Sequence, residues 1–416
     1  MKTLALFFGL MLLGNILQAQ KDRTNLVFFG SSVCRGSGAV NNEGYAWQFY
    51  HGGAIDTSKF SYFNCSTGGD NTLKIEKENR IGEKLMPSKP DIVVVGLSLS
   101  NEGIKRCQSD DERETISEQF RSRLLALADS VSSLGMIPVI ANCYPHSYYY
   151  STEYEYIKKM NWIINSWKYP SINLLGAIDN GKGQWVEGYQ HDSGHPNRDG
   201  HYEMSLSIVP DLFESITLGK KIPDYDWKKS YTVLDNTKKA ESITFSVKHP
   251  LHSFTMSFRY IESTAGVIAR IKTSLGNSDV TFDGNAIVYG TIKVPASGKE
   301  WNHVVVAHNY AAGRTLIAVN GKVSGEMREK LIPTGFVFGG TVEFIALKDL
   351  MLHRASLSED EIRDISNKLF IRSSLEIYSP MTTIITGEEL PNKAQSLTTL
   401  RIDPTVRHKL VEKSLY

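Results

Sequence analysis

The sequence predicts two folded units in succession, an α/β unit with a doubly wound parallel sheet and then an all-β antiparallel sandwich. In the first half, near-continuous apolar strands alternate with a helical pattern, as expected when both faces of a parallel sheet are covered. In the second half, short alternating segments are separated by Asp-Gly and Asn-Gly turns, which is typical of a sandwich. We place the two units at residues 20–222 and 223–416, joined by a polar linker at 219–223.

The strands of the first unit are predicted at 25–29, 91–95, 136–141 and 171–175. Between the second and third of these, apolar residues recur at helical spacing over 111–134. Because the carboxyl ends of parallel strands meet at one edge of a sheet, we expect the ligand site at that edge.

The second unit begins after about residue 220, where the apolar pattern changes. Strands are predicted at 254–258, 303–307 and 315–319. One helix is predicted at 359–369, with Ser358 as its N-cap.

Composition limits the classes of function. The 416 residues carry 46 Lys and Arg against 45 Asp and Glu, a net charge of +1, so there is no field to attract nucleic acid. Hydrophobic residues at 41% and aromatic residues at 10% indicate an ordered globular protein and exclude disordered or fibrous classes. A small molecule, a glycan or a lipid remains as the partner.

Residues 1–19 are predicted to be a signal peptide. Lys2 supplies the positive start, residues 4–13 form an apolar run, and Ala19 is the small residue before the cleavage point. The run is too short to span a bilayer of about 30 Å, and no later stretch is apolar enough to do so. We therefore expect cleavage after Ala19 and export to the periplasm or the medium.

Four cysteines follow, at Cys34, Cys65, Cys107 and Cys143, and their spacing matches no zinc motif. In an exported protein they can form disulfides in three alternative pairings, or remain buried thiols. The sequence leaves this choice open.

Polar clusters that fit one reaction follow the predicted strands. Ser32 comes just after the first strand and a glycine, where a tight turn can expose its hydroxyl. Asp192 stands three residues before His195, so its carboxylate can orient and stabilise the imidazole that deprotonates a serine. These residues predict a nucleophile, a base and its orienting acid.

Two further segments, NCSTGGD at 64–70 and GLSLSNE at 96–102, complete a set of four blocks. Over residues 24–215 the chain resembles the GDSL/SGNH serine hydrolase family. The resemblance implies a flavodoxin-like α/β/α fold and a catalytic triad of Ser32, Asp192 and His195. It also implies an oxyanion hole formed by the N–H groups of Ser32 and Ser66 and by the side chain of Asn101. No metal or organic cofactor is implied.

The chain departs from the family pattern at three places. Ser31 stands where the family usually has Asp, and Ser66 where it usually has the oxyanion glycine, with Gly68 as an alternative donor. The third block is longer than usual before Asn101. These departures concern the oxyanion donors and leave the triad unchanged.

A competing interpretation of the HDSGH segment is a metal site. His191, Asp192, His195 and His201 are all potential ligands. That interpretation leaves Ser32 unexplained, so we predict no metal.

A tyrosine-rich loop at 144–150 follows the third predicted strand and should lie beside the site. We expect Tyr144 and His146 to contact substrate, since tyrosine rings suit sugar faces and acyl chains. The alternative is a loop packed on its own tyrosines.

The second unit resembles the laminin-G-like, or concanavalin-A-like, sandwich family. The resemblance rests on WNHVVV at 301–306, VNG at 319–321, FGG at 338–340 and the segment 348–362. It implies either a glycan-binding module or a structural domain packed on the first unit. Fold alone does not select between these.

The leading hypothesis from the sequence is an exported serine esterase that removes acyl groups, most simply acetyl, from a carbohydrate. A lipase or lysophospholipase of the same family is the first alternative. A non-catalytic glycan-binding protein is the second, and it is suggested by the atypical Ser31 and Ser66.

Overall fold

The computed structural model describes residues 23–412. Its first part is built on a five-stranded parallel sheet with strand order β2-β1-β3-β4-β5. The strands are β1 (Thr24–Gly30), β2 (Phe60–Asn64), β3 (Ile92–Gly96), β4 (Ile137–Ala141) and β5 (Ser171–Ile172). This order, which reverses direction between β1 and β3, confirms the predicted flavodoxin-like α/β unit. The predicted signal peptide, residues 1–19, lies outside the described residues.

Helices cover both faces of this sheet. They are α1 (Ser32–Arg35), α2 (Tyr45–His51), α3 (Thr72–Lys77), α4 (Leu99–Glu102), α5 (Asp110–Ser133), α6 (Ser151–Ser166), α7 (Leu175–Ile178), α8 (Arg198–Leu206) and α9 (Leu212–Thr217). Short irregular turns occur at Val40–Asn42, Ile81–Leu85, Met86–Ser88 and Ile104–Arg106. The long helix predicted at 111–134 is confirmed as α5, and the side chain of its N-cap Ser109 accepts the N–H of Glu112.

The inner strands of the parallel sheet, β1, β3 and β4, are mostly apolar because each face of the sheet packs on its own core. In β1, Leu26 and Phe28 belong to one core, and Val27 and Phe29 to the other. Full burial of such a side chain contributes about 1.5–3 kcal/mol. Because all the strands are parallel, their carboxyl ends meet at one edge of the sheet, and the polar loops emerge there.

Two details of the first unit differ from the sequence-based expectation. The strand expected at 171–175 pairs with β4 only over Ser171–Ile172, because the Asn173 side chain accepts the N–H of Gly176 and starts α7. β2 was not predicted as a strand. It is an edge strand with an irregular burial pattern, and Phe63 on it is exposed, so it lacks a clear period.

The second part is a sandwich of two antiparallel sheets, as predicted. Its strands are β6 (Tyr231–Asp235), β7 (Ile243–Ser246), β8 (Phe254–Ile261), β9 (Gly266–Thr273), β10 (Gly276–Phe282), β11 (Ala286–Tyr289), β12 (Ile292–Pro295), β13 (Asn302–Asn309), β14 (Arg314–Val319), β15 (Lys322–Arg328), β16 (Pro333–Phe338), β17 (Phe344–His353), β18 (Leu375–Ser379), β19 (Glu389–Leu390), β20 (Leu400–Ile402) and β21 (Arg407–Val411). One sheet has the order β12-β11-β10-β9-β16-β7-β20-β19, and the other β15-β14-β13-β8-β17-β6-β21 with β18 beside β17. One large apolar core lies between them.

The predicted sandwich helix is α10 (Glu359–Ser366), capped by Ser358 as expected. It ends before Leu369. Lys368 adopts a left-handed φ of 65°, and the N–H of Leu369 returns to the carbonyl of Asp364, which closes the helix early.

Polar contacts join the two units. Arg354 is 2% exposed, and its guanidinium donates to Glu376 of the sandwich at 2.9 Å and to the carbonyl of Leu206 in α8 at 2.9 Å. The side chain of Asn165 in α6 contacts the backbone of Phe370 and Arg372. Within residues 23–412, none of the helices has the length and apolarity needed to cross a membrane.

Candidate active site

Ser32 begins α1 directly after β1, at the carboxyl edge of the parallel sheet. The strand ends approach so closely that a Cβ on Gly30 would lie 2.0 Å from the carbonyl oxygen of Gly96. Only glycine fits there, and it allows the chain to turn at once into α1. The turn places the Ser32 hydroxyl at the end of the sheet rather than within it.

His195 and Asp192 complete a continuous hydrogen-bonded arrangement with Ser32. Ser32 Oγ lies 2.9 Å from His195 Nε2, and His195 Nδ1 lies 2.9 Å from Asp192 Oδ1. Asp192 Oδ1 also accepts the N–H groups of Gly194 at 2.7 Å and His195 at 2.9 Å, so the carboxylate is held by its own loop. The structure therefore brings together the three residues that the sequence singled out.

The electrostatics of this loop keep Asp192 ionised. Partial burial acts to raise the pKa of Asp192, but the hydrogen bonds from His195 and Gly194 outweigh it and hold the pKa below its ordinary value. An ionised Asp192 accepts the Nδ1–H of His195, which leaves Nε2 as the acceptor that faces Ser32. The site is open, since 51% of the Asp192 side chain and 28% of the His195 side chain are exposed.

The Asn101 amide has a fixed orientation. Its Oδ1 accepts the N–H of Ser98 at 3.0 Å and the hydroxyl of Tyr144 at 3.1 Å. Because two donors hold the oxygen, the amide nitrogen is the end that remains for a ligand. Among residues 23–412, Nδ2 of Asn101 donates to no protein acceptor.

Ser66 does not offer the free N–H that the resemblance implied. Its N–H already donates to Asn64 Oδ1 at 3.1 Å. The alternative position, Gly68, packs against α1, where an added Cβ would lie 3.1 Å from the guanidinium of Arg35. Gly68 lies beside the helix of Ser32, and its N–H donates to none of the acceptors in residues 23–412.

The expectation that Tyr144 binds substrate is not supported by its position. Its side chain is buried, with 2% exposure, and its hydroxyl orients Asn101 instead. Its ring stacks on Trp185, whose indole N–H donates to the carbonyl of Ser193 at 3.1 Å. Tyr144 and Trp185 therefore connect Asn101 to the loop of Asp192, a role that no sequence signal revealed.

His146 is also buried, with 3% exposure, and its Nε2 lies 2.7 Å from the amino group of Lys105. Elsewhere in the same loop Tyr149 is buried, whereas Tyr148 and Tyr150 are 55% and 71% exposed. The loop thus combines both alternatives that the sequence left open. Some of its tyrosines pack inward and two line the surface.

His201 lies apart from the other candidate metal ligands. Its Nδ1 accepts the N–H of Tyr45 at 3.2 Å, and its Nε2 donates to the carbonyl of Ser37 at 3.0 Å. Burial lowers the pKa of His201 to about 4. Both ring nitrogens are used by the backbone, so His201 holds the loop after α1 in place.

The four cysteines are unpaired thiols. Burial raises the pKa of Cys34, which lies on α1 beside Gly96. Cys34 therefore packs as a small apolar residue under the helix that carries Ser32.

Comparisons with known proteins find similar solved structures only. No protein-family model matches the chain, and a search of curated proteins finds no match. A protein provisionally described as carbohydrate binding, from Bacteroides ovatus, is 12% identical with a TM-score of 0.34, covering 45% of this chain and 61% of that one. A protein provisionally described as lipolytic and of the G-D-S-L family, from Desulfitobacterium hafniense, is 17% identical with a TM-score of 0.35, covering 44% and 96%.

A catalytic mutant of an acetylxylan esterase from Geobacillus stearothermophilus is 15% identical with a TM-score of 0.35, covering 44% of this chain and 90% of that one. All three TM-scores are below 0.5, so the fold assignment rests on the strand order and pairing of this chain's own sheets. The described residues form a flavodoxin-like α/β/α unit followed by an antiparallel β-sandwich, with a serine, a histidine and an aspartate in hydrogen-bond contact at the carboxyl edge of the parallel sheet.

Proposed function

We propose that this protein is an exported serine esterase that hydrolyses carboxylic esters with Ser32, His195 and Asp192. The observation that carries the proposal is the pair of 2.9 Å contacts that connects Ser32 Oγ, the His195 ring and the Asp192 carboxylate. This is the arrangement in which an imidazole can take the proton of a serine hydroxyl.

The reaction has two steps. Ser32 Oγ attacks the ester carbonyl while His195 Nε2 takes its proton, and Asp192 stabilises the imidazolium through Nδ1–H. The tetrahedral intermediate collapses, His195 returns the proton to the leaving alcohol, and an acyl-serine remains. Water then attacks this ester with the same base, and the acid leaves as Ser32 regains its proton.

The oxyanion of the intermediate needs donors that are already in place. The Ser32 N–H, the Asn101 side-chain amide and the N–H of Gly68 are the donors that we assign. Each such donor contributes about 2.7–4 kcal/mol to the transition state. Gly68 replaces Ser66 in this role because the Ser66 N–H is occupied by Asn64.

We propose acetylated carbohydrate as the substrate. The exposed side chains of Asp192 and His195 suit a bulky substrate that approaches from solvent. Tyr148 and Tyr150 present exposed rings on the neighbouring loop, which suit the apolar faces of sugars. The predicted signal peptide would place the enzyme where such polymers occur, and the sandwich would serve as a glycan-binding or supporting domain.

The test is the hydrolysis of p-nitrophenyl acetate beside p-nitrophenyl esters of longer acids. Ser32→Ala is the inactivating variant. Ser58→Ala is the matched control, because Ser58 lies before β2 at the opposite edge of the sheet and, among residues 23–412, its hydroxyl forms a hydrogen bond only with Asp56.

Turnover of short esters that Ser32→Ala abolishes and Ser58→Ala retains would support an acetylesterase. A preference for long acids would support a lipase in its place. If no ester is turned over in a Ser32-dependent way, the esterase proposal is wrong, and the sandwich becomes the place to look for ligands.

A further inference from the structure

Lys105 and His146 form a pair of nitrogen bases at the edge of the candidate active site. Lys105 lies in the turn Ile104–Arg106, which follows the helix of Asn101, and His146 lies in the loop after β4. The Lys105 amino nitrogen is 2.7 Å from His146 Nε2. Neither residue is needed for the two-step mechanism.

The second ring nitrogen of His146 fixes the direction of this contact. Nδ1 accepts the N–H of Tyr148 at 3.1 Å, so a neutral ring carries its proton on Nε2. That proton points at Lys105, and the contact is a hydrogen bond only if the amine is uncharged. In that arrangement neither member of the pair carries a charge.

Burial and nearby charges shift the pKa values of both members of the pair. Burial, followed by the positive charges that Lys105 and His195 carry when they are protonated, lowers the pKa of His146 to about 4, while Asp192 opposes the shift. Burial and then the charge of Arg106 lower the pKa of Lys105, while Asp192 opposes the shift. The Tyr148 ring also lies near the amine, with its centroid 5.8 Å from the Lys105 nitrogen.

Lys105 has no carboxylate at ion-pair distance within the part of the chain that the structure describes, and the charge of Asp192 acts on it from further away. It is half-buried, and none of the carboxylates in residues 23–412 forms an ion pair with it. Half-buried lysines usually pair with a carboxylate, because a charge removed from water otherwise loses solvation. An anionic ligand would supply the direct partner that the described residues do not provide.

The pair lies on the same side of the site as the Asp192 loop. A Cβ added to Gly194 would be 3.5 Å from His146 Nε2 and 3.7 Å from Asp192 Oδ1. The two loops are also joined where the N–H of Ser147 donates to the carbonyl of Ser193 at 2.9 Å. A substrate whose ester lies at Ser32 would therefore extend past Lys105.

We propose that Lys105, held against His146, is an anion-recognising residue of the substrate site, and that the substrate is an ester of an acidic carbohydrate with a carboxylate or sulfate close to the scissile bond. This inference rests on the proposed esterase function, whose site it shares. When the anion binds, Lys105 takes up a proton and turns from His146 to the ligand, and His146 remains a neutral support.

The test uses three acetylated methyl glycosides that carry the acetyl group on the same hydroxyl and differ only at carbon 6. One is the glucoside, one the glucuronoside and one the glucoside 6-sulfate. Binding to the non-hydrolysing Ser32→Ala protein is measured by calorimetry, and turnover is measured separately with unmodified protein. The binding arm tests the anion subsite, and the turnover arm tests the esterase.

We expect at least one anionic glycoside to bind about tenfold more tightly than the neutral one, as for one partly screened charge-assisted contact. Whichever of the two anionic glycosides binds more tightly identifies the recognised group as a carboxylate or a sulfate. Lys105→Gln in the same background should remove the preference. Lys182→Gln should keep it, because Lys182 is an exposed lysine on a neighbouring loop that serves as a control for net charge.

A second variant separates recognition from a structural role. Lys105→Arg should retain the anion preference but bind without net proton uptake, because a guanidinium is always charged. The uptake is measured by repeating the titration at one pH in two buffers with different ionisation heats. Proton uptake that persists in Lys105→Arg would contradict the assignment of the titrating group.

Equal affinities for all three glycosides would overturn the inference, whether or not the ester is hydrolysed. If the esters are hydrolysed without an anion preference, the esterase proposal stands and the subsite is wrong. If Lys105-dependent binding occurs without hydrolysis, the anion subsite stands and the esterase is wrong.

Discussion

His195 of the α/β unit and His308 of the sandwich have opposite surroundings, although both ring nitrogens of each form hydrogen bonds. His195 in the α/β unit is partly exposed and lies between a carboxylate and a serine hydroxyl. In the sandwich, His308 is buried between Thr315 Oγ1 at 2.8 Å and the N–H of Leu331 at 3.1 Å. The difference shows that a histidine is suited to proton transfer only when it has an acid behind it and space for a substrate in front.

The largest expected effect comes from removing the histidine that faces the serine. His195→Gln keeps a polar side chain but cannot accept and return the Ser32 proton, so turnover of p-nitrophenyl acetate should fall by about 10⁴–10⁶-fold. His308→Gln should leave turnover per folded molecule unchanged. A similar loss in both variants would mean that the histidines of the two units do not differ in function.

Asn101→Ala should have the next largest effect. It removes the one side-chain donor assigned to the oxyanion, so kcat should fall by about 10²–10³-fold with little change in KM. Steady-state kinetics on the same ester measure both constants. A rise in KM alone would indicate that Asn101 binds substrate and does not stabilise the transition state.

Tyr144→Phe should reduce kcat by about tenfold, since it removes one of two donors that orient the Asn101 amide. The same change in an Asn101→Ala background should have almost no effect, because the amide is no longer there to be oriented. Additive losses in this double-mutant cycle would contradict the positioning role of Tyr144.

The sandwich histidines should act on stability and not on turnover. Burial lowers the pKa of His308 to about 3 and that of His353 to about 4. Since the unfolded chain binds protons at its ordinary histidine pKa of 6.5, stability is complete above that pH and is lost as the pH falls toward these values.

Each such group contributes up to about 1.4 kcal/mol per pH unit to the slope of stability against pH. His308→Gln should therefore flatten the pH dependence of the urea midpoint between pH 6 and 4, even though the variant is less stable overall. An unchanged slope would mean that His308 is protonated in the folded protein.

The features that could be predicted from the sequence are those encoded within a few residues. Asp192 and His195 are three positions apart in one loop, and Ser32 follows an apolar strand and a glycine. These local patterns are enough to predict the roles of the three residues. The cap of α10 at Ser358 is equally local. The inner strands of the parallel sheet were found for the same reason, because each contains a short, nearly continuous apolar run.

The features that could not be predicted depend on the direction in which a side chain points or on partners that are far away in the sequence. A loop tyrosine looks the same whether its ring faces solvent or the core, so Tyr144 was assigned to substrate although it orients Asn101. Ser66 was assigned as a donor because sequence does not reveal that Asn64 occupies its N–H. Lys105 and His146 are 41 positions apart, and only the fold brings them together.

The central claim is that Ser32 is an activated nucleophile, and it is tested most directly by reaction with a fluorophosphonate followed by mass spectrometry of the labelled peptide. Ser31 is the internal control, because it is fully buried and has no histidine partner among the described residues. We predict one phosphonate per chain, located on Ser32, and none in His195→Gln. Unlabelled protein, or a label on any other serine, would contradict the claim.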